Sequence, residues 1–231
     1  MTKIILRKNK SQLYESAANI IEKSVKKLLK KQKTINLAIP GGRSVPGIFK
    51  KLKNKPIEWN KIHIFMVDER LVPITHKDSN FKLAKQSFLN DLIKRKLLQK
   101  QNIHPFILNK KKDKGTLNYK SELIKHNKKF DIILLSSGED GHVGALYPHH
   151  HSIKNNSKFF IAMNDSPKPP PKRMSLSKTL LKKSKVAIIL FLGPAKREAF
   201  IKFKNKNTKV INCPAKLINS IKESYALTNL R

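Results

Sequence analysis

Residues 131–142 read DIILLSSGEDGH: an apolar run, two hydroxyls, then a glycine-flanked turn carrying two acids and a histidine. A run of Ile and Leu this short reads as a strand buried on both faces rather than as a helix. The same grammar recurs along the chain. INLAI (35–39) runs into PGGRSVP, IHIFMV (62–67) into DER, and VAIILFL (186–192) into GPAK. Helical patterns lie between these runs. Residues 11–31 place Leu13, Ala17, Ile21, Val25 and Leu28 on one face, with lysines opposite and toward the C-terminal end, where the helix dipole favours them. Residues 80–98 carry Phe81, Ala84, Phe88, Leu92 and Ile93 inward. Shorter helices are expected over 44–53, 116–127, 175–182 and 195–204, with further strands over 103–108 and 159–163. Strands alternating with helices predict an α/β fold of three layers, a mostly parallel sheet covered by helices on both faces in the Rossmann-like manner. Neither an internal repeat nor a long linker interrupts the pattern, so residues 1–231 are expected to form a single domain. In such sheets ligands collect beyond the carboxyl ends of the strands. The informative residues should therefore follow Ile39, Val67, Ser136 and Leu192.

Composition narrows the class. With 39% of its residues apolar and 28% charged, the chain can bury a core and is not of disordered composition. Its 50 Lys and Arg against 15 Asp and Glu give a net charge of +35. That balance suits nucleic acid or an anionic surface. The basic residues, however, are mostly lysines scattered among Ile and Asn, such as Lys26, Lys27, Lys50, Lys51, Lys110, Lys111, Lys112, Lys182 and Lys183, and arginine, the better bidentate reader of bases, is sparse. Background charge on solvated faces is the simpler reading, and the field would still draw in a small anionic substrate. The start, MTKIILRKNKSQLYE, has no apolar signal core, and the most apolar stretch, 186–192, is far below the ~20 residues that cross a bilayer. A single cysteine, Cys213, permits no internal disulfide. A cytoplasmic protein without membrane association is expected.

Each strand exit carries something unusual. Gly41-Gly42-Arg43-Ser44 allows a tight turn before a helix, whose first amides can hold a phosphate, although such a turn is equally often only a turn. Asp68-Glu69-Arg70 is an acid pair in a chain with few acids, beside an arginine that an ion pair can orient toward a carbonyl or phosphoryl oxygen. Of Asp78 and Ser79 just beyond, one is expected merely to cap the next helix. Glu139-Asp140-Gly141-His142 sets a histidine in a glycine turn with a carboxylate to fix its tautomer, an arrangement suited to general base catalysis. Arg173 and Lys196 are singled out by position as charge-assisted donors to phosphate. His149, His150 and His151 invite a metal reading, but sequence neighbours seldom converge on one ion, and no metal is expected.

Taken in order, GGRSVP (41–46), DERLVPITHKDSN (68–80), GEDGHVGALYP (138–148), PPPKRMSLS (169–177), GPAKREA (193–199) and CPAKLI (213–218) resemble the motif series of 6-phosphogluconolactonases, over residues 35–220. The second and third motifs are the specific ones. The resemblance implies hydrolysis of 6-phospho-D-glucono-1,5-lactone to 6-phospho-D-gluconate in the oxidative pentose phosphate pathway, without metal or organic cofactor. It implies His142 as general base, Asp140 as its orienting group, and Arg70 as stabiliser of the oxyanion. Ser44, Arg173 and Lys196 are implied as a phosphate clamp with Gly42 and Arg43, and Asp68, Glu69 and Glu139 as supporting residues. The implied partner is a small anionic sugar phosphate lactone, with no obligate nucleic acid and an oligomeric state open between monomer and weak homodimer. Three positions depart from the usual pattern: Ser136-Ser137 before GEDGH, Arg43 after the glycine pair, and VGALYP after His142. The related glucosamine-6-phosphate deaminases are the nearest alternative, but they carry a further acid in the stretch that here reads ALYPHH, and tend to have tyrosine where Arg70 stands. A basic nucleic-acid-binding protein is the alternative from another class.

Overall fold

The computed structural model describes residues 2–109, 111 and 113–230, so that Lys110 and Lys112 of the scattered lysines, and the two ends of the expected domain, lie outside the described residues. Its central sheet is parallel and seven-stranded. The strands are β1 (Lys3–Leu6), β2 (Ile35–Ile39), β3 (Ile62–Met66), β5 (Ile103–His104), β6 (Ile132–Ser136), β9 (Val186–Phe191) and β10 (Glu223–Thr228), in the order β1-β10-β9-β6-β2-β3-β5. A separate antiparallel sheet joins β4 (Asp68–Arg70), β8 (Arg173–Leu176) and β7 (Phe160–Met163).

Alternation within each central strand explains why both faces must be covered. In β6, Ile132 and Leu134 enter one core while Ile133 and Leu135 enter the other, and β9 divides in the same way, with Ile188 and Leu190 against Ile189 and Phe191. Water is excluded from both sides, so these strands are apolar throughout, as parallel strands must be. On one face lie α1 (Lys10–Leu29), α2 (Pro46–Leu52) and a helical stretch of α3 (Asn80–Ala84), a π turn (Lys85–Leu89) and α4 (Asn90–Lys94). They contribute Leu13, Ile21, Phe49 and Phe88, the last two stacked with ring centroids 4.5 Å apart. On the other face lie α5 (Thr116–Lys125), a short α6 (His151–Lys154), α7 (Lys178–Lys182), α8 (Arg197–Lys204) and the three-stranded sheet. The α/β expectation holds, with one addition: part of the second covering layer is β-structure.

The boundaries differ from the sequence reading where chemistry interrupts periodicity. The strand expected over 103–108 stops at His104, because Pro105 has no amide to extend the ladder. Residues 159–163 do form a strand, but in the small sheet rather than the central one. Residues expected to open a helix at 175 instead finish β8, and Ser177 caps α7 by accepting from the Leu180 amide at 3.1 Å.

The strands that matter for the site are neighbours. Chain order runs outward from β2 to β3 and β5 on one side, and to β6, β9 and β10 on the other, so β2 and β6 flank the switch point. The four loops leaving β2, β3, β6 and β9 therefore open onto one edge.

Candidate active site

A cleft of about 470 Å³ opens at that edge, lined by Gly42, Arg43, Ser44, Asp68, Arg70, Glu139, His142, Arg173 and Lys196 from the expected set. Asp140 stands behind His142, and Glu69 is buried beneath.

The loop after β6 builds the His142–Asp140 pair. Gly141 has φ +87°, which turns the chain so that the Gly138 amide donates to the His142 carbonyl at 2.8 Å. Asp140 Oδ1 then accepts from the His142 amide at 3.1 Å and lies 2.6 Å from Nδ1 of the same histidine. That contact leaves Nε2 as the nitrogen available to the cleft. Gly138 has no substitute here, because a Cβ would sit 2.0 Å from His142 Nδ1. Burial pushes the Asp140 carboxyl up, but the hydrogen bond and charge of His142, with Lys168 nearby, outweigh it and hold the group at about 2. Ser136 and Ser137 both line the cleft, and the Ser137 hydroxyl donates to the Gly138 carbonyl at 2.9 Å, so this departure from the usual motif hydrogen-bonds locally. Cys213 packs against Gly141, and the Ala215 amide donates to the Gly141 carbonyl at 2.8 Å. The CPAKLI segment thus supports the turn.

The loop after β3 is organised by Glu69, which is 1% exposed. Its carboxylate accepts from the amides of Arg70 (2.7 Å), Asn80 (2.7 Å) and Phe81 (2.8 Å) and from the Ser79 hydroxyl (3.0 Å). Burial pushes this carboxyl above its ordinary range, while the three amides oppose the shift. Ser79 is the helix cap expected of one member of the Asp78-Ser79 pair, accepting from the Lys82 amide at 3.1 Å.

Two details of the sequence reading need correction. Arg70 is held by the Asp78 carbonyl rather than by a carboxylate, and its buried Nε has no partner among the described residues. The ion pair to Asp68 belongs instead to Arg173, with Nη1 at 3.6 Å from Oδ2. Arg173 is 6% exposed and also donates to the carbonyls of Pro169 (2.7 Å), Pro170 (3.1 Å) and Lys168 (3.4 Å). Most of its fork is thereby engaged with the loop that carries Lys168.

The glycine turn after β2 also departs from expectation. The helix begins at Pro46 with Val45 as an uncapped N-cap, so Ser44 precedes it and Pro46 supplies no first-turn amide. Gly41 packs on Asn80, and a Cβ there would lie 1.8 Å from Asn80 Oδ1. Asn80 Nδ2 donates to the Asp68 carbonyl at 2.9 Å, while its buried Oδ1 has no partner among the described residues. After β9, Gly193 and a 3-10 turn (Pro194–Lys196) present Lys196, half-buried, beside Arg43 and Lys168. Desolvation, with repulsion from those two cations, lowers the Lys196 ammonium from its ordinary range, against the pull of Glu139 and Asp140. The cation cluster is thus set to receive an anion.

Among the cleft residues that escaped the sequence reading as ligand-facing are Lys10 and Tyr14 from the start of α1, Asn80, and Lys168. Lys168 had the detectable signal, since it stands in the proline-rich segment before Arg173. Lys10 and Tyr14 had none, because they belong to an ordinary amphipathic helix.

A profile of the family described as glucosamine-6-phosphate isomerases/6-phosphogluconolactonase matches residues 8–227. The chain belongs to this family. Among its relatives, the 6-phosphogluconolactonase of Borreliella burgdorferi is 30% identical over 202 residues, covering 87% of this chain and 86% of that one. The probable 6-phosphogluconolactonase 4 of Arabidopsis thaliana is 30% identical over 226 residues, covering 89% and 85%. The resemblance read from the motifs, and the enzyme class it implies, are met by these relatives. The crystal structure of 6-phosphogluconolactonase from Thermotoga maritima superposes with a TM-score of 0.83 over 99% of each chain at 23% identity. The fold alone does not separate the branches of the family: a monomeric glucosamine-6-phosphate deaminase, 17% identical, superposes with a TM-score of 0.82 over 98% of this chain and 97% of that one. No described helix is long and apolar enough to cross a membrane.

Proposed function

We propose that the chain hydrolyses 6-phospho-D-glucono-1,5-lactone to 6-phospho-D-gluconate, acting as one domain and without a cofactor in the reaction. The observation that carries this reading is the His142–Asp140 pair, 2.6 Å apart, at the edge of a cleft that also holds Arg70 and a cation cluster. Hydrolysis of a lactone needs a base for water, positive charge where the carbonyl oxygen becomes an oxyanion, and a remote handle that aligns the reacting carbon. His142 Nε2 takes a proton from water as its oxygen bonds C1 of the lactone. Asp140 keeps the other ring proton on Nδ1 and stabilises the imidazolium that forms. Arg70, which lines the cleft, donates to the developing oxyanion. Collapse of the tetrahedral intermediate breaks the bond from C1 to the ring oxygen, and the proton on His142 passes to that oxygen.

Arg43, Ser44 and Lys196, joined by Lys168 and the backbone at Gly42, hold the phosphate in this reading. Arg173 belongs to the same site by a different route: it anchors the Lys168–Pro170 carbonyls and Asp68, leaving Lys168 to face the ligand. Glu139 tunes the field at Lys196, and Asp68 and Glu69 support the loop. Deamination of glucosamine 6-phosphate is the reading that the shared fold also favours. Against it, residues 145–150 (ALYPHH) carry no carboxylate to assist ring opening. The discriminating experiment compares acid release from freshly generated lactone with ammonia release from glucosamine 6-phosphate. Acid release above the spontaneous rate with no ammonia supports hydrolysis, and the converse sinks it.

A further inference from the structure

Outside the cleft, three histidines distant in sequence meet on one face of the sheet. His63 stands on β3, His104 on the edge strand β5, and His126 at the C-cap of α5. One ring nitrogen from each lies within 4.8 Å of the others, and His63 Nδ1 is 3.0 Å from His104 Nε2. We propose that His63, His104 and His126 bind a divalent transition-metal ion of the zinc type.

The donor set and spacing both fit. An ion with bonds of ~2.0–2.1 Å to imidazole places its ligand nitrogens roughly 3–3.5 Å apart, close to the separation already present between His63 and His104. Imidazole nitrogens favour zinc, cobalt, nickel and copper over magnesium or calcium. The surroundings are those of a ligand histidine as well. Glu122 Oε2 lies 3.5 Å from His104 Nδ1, a carboxylate on the ring edge opposite the Nε2 that faces His63. The scaffold is fixed: the Tyr119 hydroxyl donates to the His104 carbonyl at 3.1 Å, and Asn36 Nδ2 donates to the carbonyls of His126 and, at 2.8 Å, of Lys129. The Phe65 ring stacks on His104 with centroids 4.3 Å apart and gives the site an apolar wall. His63 and His126 are only half-buried, which provides an entry path.

The site is structural, not catalytic. Five residue steps, ~16 Å at the rise of a strand, separate His63 near the start of β3 from the cleft residue Asp68, which opens β4 beyond the other end of β3. A bound ion ties the short edge strand β5 to β3 and to the end of α5. The other trio, His150, His151 and Asp165, is a weaker candidate, because His150 Nδ1 already accepts from the Ser152 amide at 3.2 Å and two members are exposed.

Chelator-stripped protein titrated with zinc chloride in a calorimeter, and with cobalt chloride by visible absorption, tests the proposal. One ion per chain is expected on this site, with the intense absorption of low-coordinate cobalt. Zinc at a hundredfold excess over Kd should raise Tm by about 5 °C. His63→Gln and His126→Gln, at half-buried positions, should each weaken affinity about 100-fold, and Glu122→Gln about 10-fold. The His150→Gln/His151→Gln protein should bind as the wild type does. Absence of saturable binding, binding unchanged in His63→Gln, or binding lost only in the His150/His151 variant would overturn the site. Lactone hydrolysis by the stripped protein is a separate reading, so either claim can fail alone.

Discussion

Asp68-Glu69 follows β3 and Glu139-Asp140 follows β6, with β2 between them in the sheet. In the first pair the second acid turns inward, where three amides and a hydroxyl surround it, and the first acid is 7% exposed beside Arg173. In the second pair both carboxylates stay at the surface of the loop, Glu139 lining the cleft and Asp140 holding His142. What separates them is the backbone that follows. Residues 79–81 fold back over Glu69 and supply three of its four donors, whereas Gly141 curls the second loop tightly enough for Asp140 to reach the histidine two residues on. The first pair builds the wall of the cleft, and the second serves the chemistry in the proposed reaction.

Replacing either acid should therefore fail in a different currency. Asp140→Asn is expected to lower kcat by about 10²–10³ with the fold intact, because the amide no longer fixes the His142 tautomer or offsets its charge; a fall below about tenfold would dissolve the distinction between the pairs. Glu69→Ala is expected to destabilise the protein by about 3 kcal/mol in denaturant titration, since it leaves several buried donors unpaired. At a temperature where that variant remains folded, kcat should stay within about threefold. A stable but inactive Glu69→Ala protein would move Glu69 into the chemistry. Lys196→Ala should act mainly on binding, raising KM by about 30-fold with a smaller change in kcat, and the KM against kcat split reads this directly.

The smallest effect concerns pH. Asp140 has its carboxyl lowered from 3.8 to about 2, so its contribution to stability is complete above the unfolded value and is lost as pH falls through the folded one. The stability gap between wild type and Asp140→Asn should close as pH is lowered from 4 toward 2, measured by urea unfolding. A gap that widens over this range would reverse the assigned sign.

The central strands and the order of their exits were legible because burial on both faces forces an unbroken apolar run, and because the glycine turns stop each run at the same edge. The small sheet was not legible. β4 is three charged residues, Asp68–Arg70, and pairs with β8 through backbone bonds that apolar periodicity does not report. The outer strands β1 and β10 were missed as well: a short edge strand with Ile4 and Leu6 half-exposed, and a strand carrying polar residues within its six, offer weaker contrast. At the site, residues that act through their own loop were readable, as with His142 and Asp140. Those that arrive from another element were not: Lys10 and Tyr14 reach the cleft only because α1 packs on α2, where the Tyr14 ring lies against Gly47. The role of Arg173 was read from its charge, yet its donors go largely to three carbonyls that no sequence motif names. The His63, His104 and His126 cluster is the extreme case, since the pairing of β3 with β5 brings two of its members together and the end of α5 brings the third.

The most direct measurement is the initial rate of acid release from freshly prepared 6-phospho-D-glucono-1,5-lactone, run beside a protein-free control and the His142→Ala protein. The account predicts clear acceleration by the wild type and at least about a 100-fold loss in a His142→Ala protein of unchanged circular dichroism. A wild-type rate equal to the spontaneous one, or a His142→Ala rate equal to that of wild type, would contradict it.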